Sequence, residues 1–270
     1  MKNPTKTTGI ILWIIAFLLT IGIASYQRMT GPTHPEYGDV KAFGGNIEYK
    51  FLRSWDVGSG APVVVSVPDK DVQGFLRFRR YKSHDEWMEI PMNYHNGKLV
   101  AELPAQPPAG KVMYNVTLTL GHKKLVLCDA PLILRYKGAV PAYILVPHII
   151  FMFLALMFGI RVGLEIIFKR LNTLQISSYT LIFLVLGGLI LGPIVQKYAF
   201  DAYWTGWPWG HDLTDNKTLA GVIFWFIAWI KLRKNPNNRL WPAIALLVFL
   251  TIYLIPHSAF GSEIDYTQAG

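Results

Sequence analysis

The residues of this chain best suited to chemistry are three histidines, His148, His211 and His257, and three carboxylates, Asp212, Asp215 and Glu263. Imidazoles joined by one or two carboxylates are a ligand set for zinc, copper or iron, and a carboxylate-dominated cluster suits calcium. A divalent metal site is therefore the first chemistry to weigh. Its ligands would come from separate segments, so no spacing motif attests it. Asp212-x-x-Asp215 also lacks the oxygens in register that a calcium loop needs. A second candidate is haem b held non-covalently by His148 and His257, in a redox subunit exchanging electrons with quinone. Such a haem sits between spans with both ligands at matched depth, whereas His257 follows Pro256 at the end of its apolar segment. A third is a membrane hydrolase using metal-bound water, with Asp215 or Glu263 as base. No GxSxG or HExxH occurs, and Ser258 beside His257 is adjacency in sequence alone.

The pattern favours a plainer, architectural reading. His211 and Asp212 stand before an apolar helix, where a carboxylate complements the helix dipole, and Thr214 or Asp215 would serve as its N-cap. His257 would then be an interfacial residue bonded to a carbonyl. The single cysteine, Cys128, permits no internal disulfide and no multi-cysteine metal site; beside Leu125-Val-Leu127 it reads as a small core residue.

The elements that must position these groups are mostly apolar. Hydrophobic residues are 52% of the chain and charged residues 16%, against about 25% charged in an ordinary soluble domain. The apolar residues gather in long blocks, whereas residues 40–138 have soluble composition, so the blocks face lipid. A spanning helix needs roughly 17–25 apolar residues, and five segments fit or nearly fit: 9–24, 141–168, 178–198, 219–230 and 240–255. Pro141 opens the second, and Pro193 is expected to kink the third near its outer end. The first reads as an anchor or uncleaved signal, with Gly22-Ile-Ala24 a passable cleavage pattern.

Charge placement orients the spans. Lys2 and Lys6, then Arg161, Lys169 and Arg170, then Lys231, Arg233, Lys234 and Arg239 all fall at the same side, as the positive-inside rule requires of a cytoplasmic face. The net charge of +9 is thus largely topological and argues against nucleic acid as a partner. Trp204, Trp207, Trp209, Tyr198 and Tyr203 crowd the opposite interface, where amphipathic rings belong. His148 would lie ~10 Å below the outer end of its helix at ~1.5 Å rise per residue, a depth at which a polar side chain needs a partner. Arg161 and Glu165, spaced i,i+4 near the inner end of the same helix, read as a local ion pair rather than a proton relay.

Residues 47–136 read as short strands. Val112, Tyr114, Val116, Leu118 and Leu120 alternate with polar partners, the period of a half-buried strand. Further strands are expected at 47–53, 62–67, 74–81, 98–103, 123–127 and 132–136, separated by turns such as Asn96-Gly97 and Gly121-His122. About seven strands over about 90 residues is the scale of a β-sandwich. Arg77, Arg79, Arg80 and Lys82 around Phe75, Phe78 and Tyr81 are an anion or partner patch, or simply a solvated strand face.

One stretch is more specific. Trp87-Met-Glu-Ile-Pro-Met92 followed by Gly97-Lys-Leu-Val-Ala-Glu-Leu-Pro-Ala-Gln-Pro-Pro-Ala-Gly-Lys-Val-Met-Tyr114 resembles a run found in bacterial fibronectin-III/immunoglobulin-like domains. The resemblance implies a spacer or interaction module and carries no active site.

These readings predict an α+β membrane protein with five transmembrane helices and an inserted extracytoplasmic β-sandwich of Ig/FN3-like type. Segment 1–8 is cytoplasmic, 9–25 is the first transmembrane helix, 26–140 the β-sandwich, 141–257 a four-helix transmembrane domain, and 258–270 an extracytoplasmic tail. The expected setting is a bacterial inner (cytoplasmic) membrane, and the expected partners are the lipid bilayer and other membrane or periplasmic proteins. The functional expectation is a non-catalytic accessory or scaffold subunit of a membrane complex. Its alternative is a metal- or haem-b-dependent redox subunit or hydrolase centred on the outer-leaflet histidines.

Overall fold

A computed structural model describes residues 6–168, 172–256, 261 and 263–267. Lys2, Lys169, Arg170 and His257 lie outside the described residues. The chain divides into two compact units, one helical (Met1–Gly31, Val140–Tyr198 and Ala202–Gly261) and one β-rich (Pro32–Ala139, Ala199–Asp201 and Ser262–Gly270).

Five helices occur among the described residues: α1 (Lys6–Thr30), α2 (Ala142–Ile167), α3 (Thr173–Phe200), α4 (Leu213–Lys234) and α5 (Leu240–Leu254). The first three are long and apolar enough to cross a membrane; at ~1.5 Å per residue each exceeds the ~30 Å hydrocarbon core. The other two miss that standard for different reasons. Helix α4 has 22 residues but carries Asp215, Lys217, Lys231, Arg233 and Lys234, and α5 is apolar but only 15 residues long.

Pro141 is the N-cap of α2 rather than its first residue. Just before Gly192-Pro193, where the sequence leads one to expect a kink, α3 contains a π-helical stretch, Val185–Leu191. There the Gly192 N–H reaches back five residues to the Gly187 carbonyl. Proline lacks the N–H needed to continue the α-helical ladder, and a wider turn is one way to absorb the break.

Small residues let the helices approach closely. A Cβ on Gly187 would lie 3.0 Å from the Phe151 Cβ, and one on Gly159 would lie 3.3 Å from both Trp225 and Phe249 side chains. Trp225 and Phe249, both fully buried, meet edge to face at 6.1 Å in the centre of this core.

The β-rich unit contains ten strands: β1 (Glu36–Ala42), β2 (Gly45–Phe51), β3 (Ser54–Asp56), β4 (Ala61–Ser66), β5 (Gln73–Arg80), β6 (Met88–His95), β7 (Lys98–Leu103), β8 (Lys111–Leu120), β9 (Lys123–Val126) and β10 (Leu132–Lys137). They form one curled sheet in the order β1-β2-β4-β7-β6-β5-β8-β10-β3, with β9 beside β8. The seven strands expected from sequence are all present, with ends shifted by a residue or two. The two-residue turns Phe43-Gly44 and Asn96-Gly97 have φ > 0 at both positions, the geometry of tight hairpins.

Strand β6 curls the sheet. Its Met88–Met92 half pairs with β5, and its Asn93–His95 end pairs with β7. The enclosed core includes Phe51, Leu76, Leu99, Leu103, Tyr114, Leu118 and Tyr136, each at most 1% exposed. The Tyr114 hydroxyl donates to the Leu52 carbonyl at 2.6 Å, so the buried phenol is hydrogen-bonded; burial pushes its pKa far above the ordinary value.

Candidate functional site

Of the six residues singled out for metal chemistry, Asp212 and Asp215 come together. Asp212 is the N-cap of α4: its Oδ1 accepts from the backbone N–H of Thr214 at 2.7 Å and of Asp215 at 3.4 Å. The cap thus lies two residues before the expected Thr214 and three before Asp215. Asp212 wins because an aspartate at this offset reaches the first free N–H groups, and its charge complements the helix end. Asp215 Oδ2 accepts from the Thr205 N–H at 2.7 Å, and Asp212 Oδ2 lies 3.2 Å from the Thr205 hydroxyl. That hydroxyl also accepts from Gln196 Nε2 at 2.7 Å. One residue on, Asn216 Oδ1 accepts from the Trp207 N–H at 2.7 Å.

The two carboxylates therefore hold the tryptophan-rich connection onto the first turn of α4. His211, beside them in sequence, is exposed.

His148 has a different partner. Its Nδ1 lies 2.9 Å from the Gly187 carbonyl of α3, in the π-helical stretch. A half-buried imidazole with Nδ1–H donating to a carbonyl is satisfied without an ion. The depth that made His148 a candidate is thus matched by a backbone acceptor.

Glu263 belongs to the β-rich unit. Its carboxylate forms ion pairs with the ammonium groups of Lys82 and Lys111. Burial raises the Glu263 pKa, but hydrogen bonds and charge from the two lysines outweigh it, so the net value lies below the usual carboxylate range. His257 falls outside the described residues. Among the described residues no three His, Cys, Asp or Glu side chains are grouped closely enough to hold a metal ion.

Three arrangements involve residues that the metal question did not touch. Arg161 Nη2 and Glu165 Oε1 lie 2.6 Å apart, as their i,i+4 spacing predicts. Glu165 also accepts from the Asn172 N–H at 3.3 Å, and the Arg161 guanidinium sits 5.3 Å from the centre of the Trp13 ring. Lys217 donates to the Ile255 carbonyl at 3.2 Å while Gln27 Nε2 donates to the Tyr253 carbonyl at 3.0 Å, so two side chains satisfy the open end of α5. Neither contact has a local sequence signal.

On β5, Arg77 and Arg79 project to one face, and both guanidiniums lie against the Trp87 ring, at 4.9 and 5.0 Å. The alternating arginines were visible in the sequence; the tryptophan between them was visible only as part of the resemblance run. No family model, curated protein or solved structure matches the chain.

Proposed function

We propose that the protein is a non-catalytic accessory or scaffold subunit of a bacterial cytoplasmic-membrane complex, presenting its β-rich unit outside the cytoplasm for protein interaction. The observation that carries this reading is a self-contained β-rich unit, with its own buried core, inserted in the chain between two helices apolar enough to anchor it. A unit with its own core keeps its shape without a partner and can offer a fixed surface to one. The Arg77–Trp87–Arg79 group supplies residue types enriched at interfaces.

The strand order supports an Ig/FN3-like reading of this unit. Neighbours β2, β4 and β7 correspond to one sheet of such a sandwich, and β5, β8 and β10 to the other. Strand β6 would be the one that passes between them. The placement of Lys2 and Lys6 and of the Arg161–Arg170 and Lys231–Arg239 clusters supports a cytoplasmic N-terminus and five crossings, with α4 and α5 as the last two.

Affinity purification from gently solubilised membranes, followed by mass spectrometry, tests the reading. A stoichiometric partner is expected, and Arg77→Glu with Arg79→Glu is expected to release it while the fold is kept. Recovery of a lone monomer overturns the subunit reading. A stoichiometric metal or a Soret band in the pure protein overturns the non-catalytic one. A cysteine placed at Asn96 in a Cys128→Ser background should react with a membrane-impermeant maleimide in intact spheroplasts; labelling only after lysis reverses the orientation.

A further inference from the structure

Residues 263–267, far from the rest of the β-rich unit in sequence, lie on it as a peptide lies on a receptor. Residues 263–266 are half-buried and Thr267 is exposed, and none of them belongs to the buried core. The Glu263 carboxylate sits between the ammonium groups of Lys82 and Lys111. The Tyr266 N–H donates to the Lys82 carbonyl at 2.9 Å, and the Ile264 N–H approaches the Ala109 carbonyl at 3.4 Å. The Tyr266 hydroxyl lies 3.2 Å from Gln106 Oε1. The Arg80 guanidinium covers the Tyr266 ring at 4.4 Å, held in place by Asp85, whose two oxygens it meets at 2.6 and 2.7 Å.

The receiving surface is built around a charge that needs an anion. The Lys111 side chain is only 10% exposed. Burial and the nearby Arg135 lower its pKa, and Glu263 works against that fall. An ammonium at such a position is costly unless it is paired. Gly110 lies under the segment, where a Cβ would stand 3.3 Å from the Tyr266 hydroxyl, although its closest contacts would be with Gln106 and Pro107 of its own turn. Charge, ring stacking and main-chain hydrogen bonds thus coincide on a segment of four residues, Glu263-Ile-Asp-Tyr266.

We propose that this surface is a recognition site for short acidic–aromatic peptides of the pattern Glu-x-x-Tyr, that the chain's own segment occupies it as a tethered ligand, and that a segment of the same pattern in a partner protein displaces it. The inference rests on the reading of the β-rich unit as an interaction module. Its test is independent of co-purification, so either can fail alone. Because the segment is held by surface contacts, exchange leaves the core intact. Tethering sets the threshold, since a linked ligand competes at an effective concentration of order millimolar.

The probe is a fluorescein-labelled synthetic peptide with the sequence of residues 262–270, titrated by fluorescence anisotropy into the detergent-purified chain. With a chain ended after Gly261, saturable binding is expected. A peptide carrying Glu263→Gln and Tyr266→Ala should bind about tenfold more weakly or worse, having lost the charge-assisted and cation–π contacts. The full-length chain should bind the native peptide at least about tenfold more weakly than the shortened one, because its own segment competes.

If the shortened chain does not fold, the same titration uses the full-length chain with Glu263→Gln and Tyr266→Ala, which keeps the segment but frees the site. Saturable binding to that variant supports the proposal, and none overturns it. Equal binding of the altered peptide, equal binding to full-length and shortened chains, or displacement by free glutamate at the peptide's own concentration also overturns it.

Discussion

Arg161 and Glu165 lie in the helical unit with 3% and 0% of their side chains exposed, while Lys111 and Glu263 meet on the β-rich unit with 10% and 23% exposed and bring Lys82 with them at 44%. The chemistry is the same and the setting differs. In the helical unit, polar groups find partners on their own or a neighbouring helix: Thr180 donates to the Ile176 carbonyl one turn back, Trp229 donates to Ser178, and the Tyr253 hydroxyl donates to the Met152 carbonyl. Without water at hand each such group needs a protein partner. In the β-rich unit the pair lies at the edge of the buried region, with Lys111 10% and Lys82 44% exposed, where it can hold a segment from elsewhere in the chain. A sealed ion pair resists removal of either partner, and a surface pair can be exchanged.

The largest effect is expected from Glu165→Gln, which leaves the Arg161 charge buried. Loss of about 3–5 kcal/mol is expected in detergent-based unfolding, and the double change Arg161→Met with Glu165→Leu should recover most of it. If Glu165→Gln costs no more than a surface pair, the site is wetter than its burial implies and the contrast fails.

Asp212→Ala removes the N-cap of α4 and the hold on Thr205, and about 1–2 kcal/mol is expected in the same measurement. A loss below a few tenths would mean that the tryptophan-rich connection is held by other contacts. Tyr114→Phe tests the β-rich core, where deleting one buried hydroxyl and leaving the Leu52 carbonyl without its donor should cost about 0.5–1.5 kcal/mol by thermal melting.

Glu263→Gln removes the charge but keeps an oxygen that can accept from the Lys111 ammonium, and Lys82 is exposed to water, so the loss of stability should be the smallest, at most about 1 kcal/mol and less in salt. Its pH dependence follows from sign. The folded pKa of Glu263 is depressed, so its contribution is present above the ordinary carboxylate range and lost as pH falls through the depressed value. Melting of the native chain between about pH 7 and pH 3 should include this loss, and the glutamine variant should lack it. Identical profiles would show that the Lys82–Glu263–Lys111 contact does not hold the segment.

What could be read in advance depended on how far along the chain the cause lies. The apolar blocks, the alternation in β8, the Asn96-Gly97 hairpin and the Arg161–Glu165 pair arise from residues within a few positions of one another. The strands that escaped reading lacked such local marks. Strand β6 contains Pro91 and little alternation; β3 has three residues; β1 is largely exposed, with Gly38 and Asp39 at its centre. Resemblance covered the β6 residues without identifying a strand.

From sequence alone came the identity of the groups able to do chemistry, the division into apolar helices and a β-rich insertion, and the gathering of basic residues into clusters beside the apolar blocks. Those follow from hydropathy, period and charge, which are properties of the residues in order. Only the tertiary structure decided that His148 meets the Gly187 carbonyl, 39 residues away, and that Glu263 meets Lys111, 152 residues away. Partners at such separation are selected by packing and by the need to satisfy a buried polar group, and neither leaves a spacing in the sequence.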